Sequence, residues 1–204
     1  MSRAGKSDES RRRILEVARA VFFEQGYERA NLDEMARRAG LAKGTIYRHF
    51  DSKGELYIAV LSENADQFVA RMRQTIQPGL RADEQVRRTG TFYFRHYRQY
   101  PEYFRIFWAV ENQQMLGEVD ERLVAAVTDV WKRCLQLLAD QIERGIREGV
   151  FRPCDPWEVA NILWIVGNGV LQTDLDPARR ALRERDLEKV FADALELLLR
   201  GLQP

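Results

Sequence analysis

The sequence predicts an all-α chain, on three observations. Apolar residues recur at three- and four-residue spacing through several long segments. The six prolines fall at segment ends, with none before residue 77, and no segment carries a strand signal. Helices are expected near 9–25, 32–38, 43–49, 53–76, 82–99, 101–114, 119–148, 156–173 and 185–201. Asn31 with Glu34 three residues on, and Ser52 with Glu55, have the form of capping boxes at two of the helix starts. Leu56, Val60, Leu61, Ala65, Phe68, Met72 and Ile76 hold one stripe for six turns, which makes 53–76 a rigid strut. Leu123, Val127, Val130, Trp131, Cys134, Leu138, Ile142 and Ile146 mark the 119–148 helix as strongly amphipathic. The first ten residues read as a polar arm and lack the apolar core of a secretion signal.

With 31% charged and 45% hydrophobic residues, the 204-residue composition suits a soluble globular protein, and no run of 18 apolar residues could span a membrane. Cys134 and Cys154 stand in no metal-ligand spacing and the two histidines lie far apart, so neither a metal nor another cofactor is expected. The cytoplasm is the expected compartment. A net charge of +1 hides an asymmetry: residues 1–53 hold 12 basic against 8 acidic residues, while the remainder holds 20 against 23. That small basic excess fits a chain that meets phosphates near its start.

Residues 31–53 are the most informative. Leu32, Met35, Ala36, Leu41, Ile46 and Phe50 form an apolar stripe across two short helices that bend at Gly40, and Lys43, Thr45, Tyr47, Arg48 and His49 fall on the other side. A helix-turn-helix that reads the major groove needs that division of one packing face and one polar face. Taken alone, the stripe also fits any short surface helix pair. Beyond it, Ile14–Ala18, Phe22-Phe23-Glu24-Gln25-Gly26-Tyr27, Gly44-Thr45-Ile46-Tyr47-Arg48-His49-Phe50 and Ser52-Lys53-Gly54-Glu55-Leu56 resemble the amino-terminal domain of the TetR family of bacterial transcription regulators. The resemblance covers roughly the first third of the chain.

The resemblance implies a three-helix DNA-binding domain over residues 8–68, joined by the long helix to a helical effector-binding and dimerisation domain over 69–204. It implies a homodimer on a palindromic operator of double-stranded DNA, most often as a repressor, released by a small effector. It carries DNA contact over to Asn31, Lys43, Gly44, Thr45, Tyr47, Arg48, His49 and Lys53, with Lys53 as a phosphate grip. Two positions depart from the family pattern: Ala30 and Ala42 stand where hydroxyl residues are usual, so Ala42 cannot cap the recognition helix, a loss of roughly 0.5–2 kcal/mol. Arg11, Arg12 and Arg13 either substitute as phosphate contacts or simply solvate a helix start.

Aromatic residues crowd 92–108 on both sides of Pro101, which fits either ordinary core or the irregular lining of an apolar cavity. For the cavity the expected lining is Phe92, His96, Phe104, Phe107, Trp108, Met115, Trp131, Cys134, Trp164 and Asn168, around a hydrophobic or aromatic effector. His96 beside Arg95 is more simply read as an exposed helix residue. Helices 156–173 and 185–201 are apolar beyond one stripe, which fits either a core within the chain or, as the family resemblance implies, pairing with their twins. The residues expected there are Ile162, Ile165, Val166, Gly169, Val170, Leu187, Val190, Phe191, Ala194, Leu195 and Leu198. The rival readings are an enzyme, for which no nucleophile, base or metal spacing exists, and a ligand-free DNA-binding adaptor, which a filled interior would favour.

Overall fold

The computed structural model describes residues 3–104, 108 and 121–204. Every regular element among them is helical: α1 (Arg3–Arg29), α2 (Leu32–Ala39), α3 (Lys43–Tyr47), α4 (Lys53–Gln74), α5 (Ala82–Gln99), α6 (Glu121–Arg147), α7 (Pro156–Gln172), α8 (Pro177–Ala181) and α9 (Leu187–Gly201). Residues 101–104 are helical as well, whereas most of the expected 101–114 helix, with Phe107 and Met115, lies outside the described residues. The all-α expectation holds. No helix among the described residues is long and apolar enough to cross a membrane.

The first helix is longer than expected at both ends, and α8 was not foreseen. Helix α1 begins at Arg3 in place of a polar arm, and Arg12 pairs with Glu9 one turn earlier at 3.0 Å, a contact that favours helix. It kinks at Gly26, whose φ of 77° and ψ of 169° suit glycine alone. The five-residue α8 starts on Asp176, whose carboxylate accepts from the amides of Ala178 and Arg179 ahead of Pro177 at the first helical position.

By their contacts the described residues form two compact units. One comprises those up to 67 and those from 102 to 129; the other comprises 68–101 and 130–204. In the first, Ile14, Leu15, Ala18, Val21 and Phe22 of α1 are buried, as are Met35, Ala36 and Ala39 of α2, Ile46 of α3, Phe50, and Leu56, Tyr57, Val60 and Leu61 of α4. The Phe22 ring meets Tyr57 edge-on at 4.8 Å, which joins α1 to α4. In the second, Ala82 and Val86 of α5, Ile142 of α6, Phe151, Leu163 of α7, Leu199 of α9 and Leu202 form one buried cluster. Helix α9 packs on both α7 and α5, where Arg87 of α5 pairs with Glu196 of α9 and with Asp83 one turn back.

Candidate nucleic-acid interface and apolar cavity

The turn between α2 and α3 is built by local chemistry. Asn31 caps α2 by accepting the Asp33 amide at 2.7 Å. Glu34 does not close the expected capping box; its carboxylate instead binds Gln25 Nε2 at 2.9 Å and Arg38, which tie it to the end of α1 and to its own helix. Gly40, at φ 63° and ψ 36°, ends α2 in the left-handed conformation, and the Leu41 amide returns to the Ala36 carbonyl. Ala42 precedes α3 with no side-chain cap, as its methyl dictates. The Ser52 hydroxyl accepts the Glu55 amide at 3.0 Å, and Glu55 reaches back to the Asp51 amide, one residue before the position a strict capping box would use.

On that frame Ile46 is fully buried and Phe50 nearly so, which fixes α3 by one side. Lys43, Gly44, Tyr47 and Arg48 face solvent, while Thr45 and His49 are half-buried. The Tyr47 ring is 46% exposed, an unusual placement for a large aromatic. A Cβ on Gly44 would meet nothing within 4 Å, so the backbone is open to close approach there. Arg48 Nη2 donates to Thr45 Oγ1 at 3.1 Å, and Arg11 lies over the Phe50 ring at 5.4 Å.

The two lysines are already engaged. Lys43 Nζ donates to the Asp33 carboxylate at 2.9 Å. Lys53 Nζ donates to the Glu28 and Ala30 carbonyls at 3.1 and 3.3 Å and sits 4.6 Å from the centre of the Tyr27 ring. It thereby holds the segment after the Gly26 kink, whose carbonyls α1 no longer uses. Lys53→Met, which keeps the stem and removes the charge, is expected to lower unfolding free energy by about 1–3 kcal/mol. A urea midpoint unmoved by the substitution would show that the ammonium clamps nothing.

The described residues expected to line an effector cavity are divided between the two units. Phe104 and Trp108 are buried in the first unit with ring centres 5.7 Å apart. Phe92, His96, Trp131, Cys134, Trp164 and Asn168 belong to the second. His96 is not the exposed residue expected beside Arg95: it is 6% exposed and packs against Phe68, Phe92 and Tyr100. Burial, helped by the Arg71 charge, pushes its imidazole down to about 4, so the ring is neutral at neutral pH. Burial likewise pushes the Cys134 thiol up to about 12 and leaves it an apolar filler. Asn168 Oδ1 accepts the Tyr93 hydroxyl at 2.6 Å, and Trp164 packs on that tyrosine ring at 5.0 Å.

The second unit contains a cavity of about 50 Å³, lined by Met72, Val86, Thr89, Gly90, Tyr93, Leu138, Leu163, Trp164, Gly167, Phe191 and Leu195. Of the expected ligand residues that are described, Trp164 alone reaches it. The wall is almost wholly carbon, and such a void takes hydrocarbon in preference to water. Sequence reading missed Gly90, although a glycine inside an amphipathic helix was the available signal. A Cβ there would stand 2.7 Å from Leu195 Cδ2, so the glycine admits α9 against α5.

Of the residues expected at a dimer face, Leu187 and Phe191 are buried within the chain and Leu195 lines the cavity. Ile162 and Ile165 of α7 stay 42% and 59% exposed, and Gly169 is open as well. Leu197 of α9, absent from the expected set, is 71% exposed.

A helix pair that turns cations and a tyrosine outward from a packed helical unit, in a chain that continues into a helical unit with an apolar cavity, defines a helix-turn-helix protein with an added helical body. Residues 14–60 match the model of the bacterial regulatory proteins of the tetR family. Over 137 residues the chain is 31% identical to the HTH-type transcriptional activator FasR of Mycolicibacterium smegmatis, an alignment that takes in 67% of this chain and 60% of that protein. The transcriptional regulator FadR from Bacillus subtilis in complex with stearoyl-CoA superposes with a TM-score of 0.73 over 94% of this chain and 98% of that one, at 23% identity. A transcriptional regulator from Saccharomonospora viridis in complex with choline gives 0.77 over 95% and 96%, at 22% identity. At those identities the two structures speak to the fold. The chain belongs to the TetR family.

Proposed function

We propose that the protein is a ligand-responsive, sequence-specific DNA-binding transcription regulator and not an enzyme. In this reading it is a cytoplasmic repressor that sits as a homodimer on a palindromic operator and is released by a small hydrophobic effector. The observation that carries the proposal is the α3 surface: Lys43, Gly44, Tyr47 and Arg48 face solvent on a helix whose other side, Ile46, is fully buried. The Arg48 guanidinium there offers a charge to phosphate, and the tyrosine and threonine groups read base edges in the groove. Two such helices related by a two-fold axis meet half-sites one DNA turn apart, about 34–36 Å, or a multiple of that spacing. The carbon-lined cavity of the second unit supports an effector with a hydrocarbon part, and the FadR structure in complex with stearoyl-CoA makes a long acyl thioester the first to try. An effector that binds the released form better than the DNA-bound form lowers DNA affinity by that difference.

An operator selected from random duplexes, followed by fluorescence anisotropy, tests both halves. Tyr47→Ala is expected to weaken the selected site by about 1–3 kcal/mol and a scrambled duplex far less. Stearoyl-CoA at a hundred times its dissociation constant is expected to add about 2.7 kcal/mol to stability and to displace the operator. Equal affinity for selected and scrambled duplexes sinks the DNA reading, and a melting curve blind to acyl ligands sinks the effector. The relative named as an activator supports a second reading, in which the same surface recruits transcription; an operator upstream of the promoter, in place of one overlapping it, would favour that sign.

A further inference from the structure

On the surface proposed to meet DNA, Lys43 opens α3 and is about half exposed, yet its ammonium is held 2.9 Å from the Asp33 carboxylate of α2. Asp33 is itself fixed, since its own amide is pinned by the Asn31 cap at 2.7 Å. The pair therefore joins the two helices of the motif across the Gly40 turn. A phosphate arriving at Lys43 meets an ammonium already paired with an anion. To take it, the phosphate must displace the carboxylate and then lie beside that uncompensated negative charge.

We propose that Asp33 is a positioning residue of the DNA surface, which withdraws Lys43 from the set of cations that neutralise phosphate and so holds down affinity for duplex of any sequence. The inference rests on the DNA-binding reading of α3. Its physical content is counterion release: a lysine that pairs with a carboxylate in the free protein carries little ion atmosphere to the complex and releases few ions from the DNA, whereas an unpaired lysine contributes a slope of about 0.9. Removing the carboxylate charge removes the competitor and the repulsion together. Exposed ion pairs are weak and screened by water and salt, which keeps the gain in affinity modest, at about three- to fivefold.

The test is a double-mutant cycle of Asp33→Asn and Lys43→Met on the full-length protein, with binding to one random-sequence duplex measured across a salt series. Asp33→Asn is expected to tighten binding about three- to fivefold at moderate salt and to steepen the slope by about one ion. Lys43→Met is expected to flatten the slope by about one ion when combined with Asp33→Asn, and by well under half an ion when Asp33 is kept. A merely structural role for the pair would move the melting temperature and leave the slope alone. Slopes for Lys43→Met that fall equally in both backgrounds overturn the proposal, as does an Asp33→Asn isotherm that coincides with or lies weaker than the natural protein's. A natural protein that binds no duplex at any salt overturns the DNA reading as well. One that binds with a clear salt slope while the cycle fails overturns this inference alone.

Discussion

Gly145→Ala is expected to cost about 2–4 kcal/mol of stability, although alanine for glycine inside a helix ordinarily gains up to about 1 kcal/mol. Gly145 lies on the inner side of α6, and the chain folds back over it at once: the amides of Val150 and Phe151 both donate to its carbonyl after Gly149 ends the helix at φ 68°. The Phe151 ring then fills the space a side chain would take. A Cβ on residue 145 would stand 2.1 and 2.5 Å from two ring carbons and 2.9 Å from the Ala82 Cβ. Phe151 is 2% exposed and belongs to the main core cluster, so the ring has nowhere to retreat. Forcing a methyl into such a core costs up to about 3 kcal/mol, and expelling the ring costs about 3–5; the gain in helix propensity offsets about 1. At Gly169, where a Cβ meets nothing, the same exchange is expected to stabilise the protomer. Urea denaturation of both variants checks the sign at each position, and a Gly145→Ala midpoint at or above that of the natural protein would refute the packing argument.

Gly145 also shows where sequence reading stops. The helical stripes were legible because each reports on a single element. Leu56, Val60, Leu61, Ala65, Phe68 and Met72 are all buried on α4, as their spacing requires. The helix start at Asp155-Pro156 follows from chemistry confined to a few residues, whereas the same Asp-Pro pairing at 176–177 was read only as a break and the short α8 behind it was missed. Lys43, Tyr47 and Arg48 were legible as outward for the same reason, since burying Ile46 on a helix five residues long turns them to solvent, although Thr45 and His49 are half-buried. Sites that draw on several helices left no such trace. The cavity takes its wall from α4, α5, α6, α7 and α9, and neither the aromatic density of 92–108 nor the position of Pro101 indicates which rings meet. His96 reads as polar in a one-dimensional pattern, yet the rings of Phe68 and Tyr100 enclose it. Lys53 finds backbone carbonyls, groups that every residue carries, so no residue type could have announced them. Asp33 and Lys43 are ten residues apart, a separation that becomes a contact only when the Gly40 turn sets α2 against α3.

The exposed faces of α7 and α9 lead to the largest functional effect. Ile165→Asp combined with Leu197→Asp is expected to give a folded monomer that no longer holds a palindromic operator. Both side chains are more than half exposed, at 59% and 71%, and lie on two helices that pack together inside the chain. Covering each in a twin's surface is worth about 1.5–3 kcal/mol, counted twice in a symmetric interface because every residue meets its own partner patch. Aspartates there exchange that gain for the burial of four unpaired carboxylates, each costly enough to prevent association at micromolar concentration. In the separate protomer the same aspartates face water, so its unfolding is expected to move by less than about 0.5 kcal/mol. Leu195→Asp makes the contrast: it places a charge on the cavity wall against Gly90 and is expected to destabilise the protomer itself. Sedimentation equilibrium separates the cases, with the natural protein as a dimer, the double variant as a monomer with a normal melting curve, and the Leu195 variant melting early. Loss of one half-site partner removes the additive binding of two recognition helices, so operator affinity is expected to fall by orders of magnitude while weak binding to a single half-site survives. A double variant that still sediments as a dimer would move the interface away from α7 and α9.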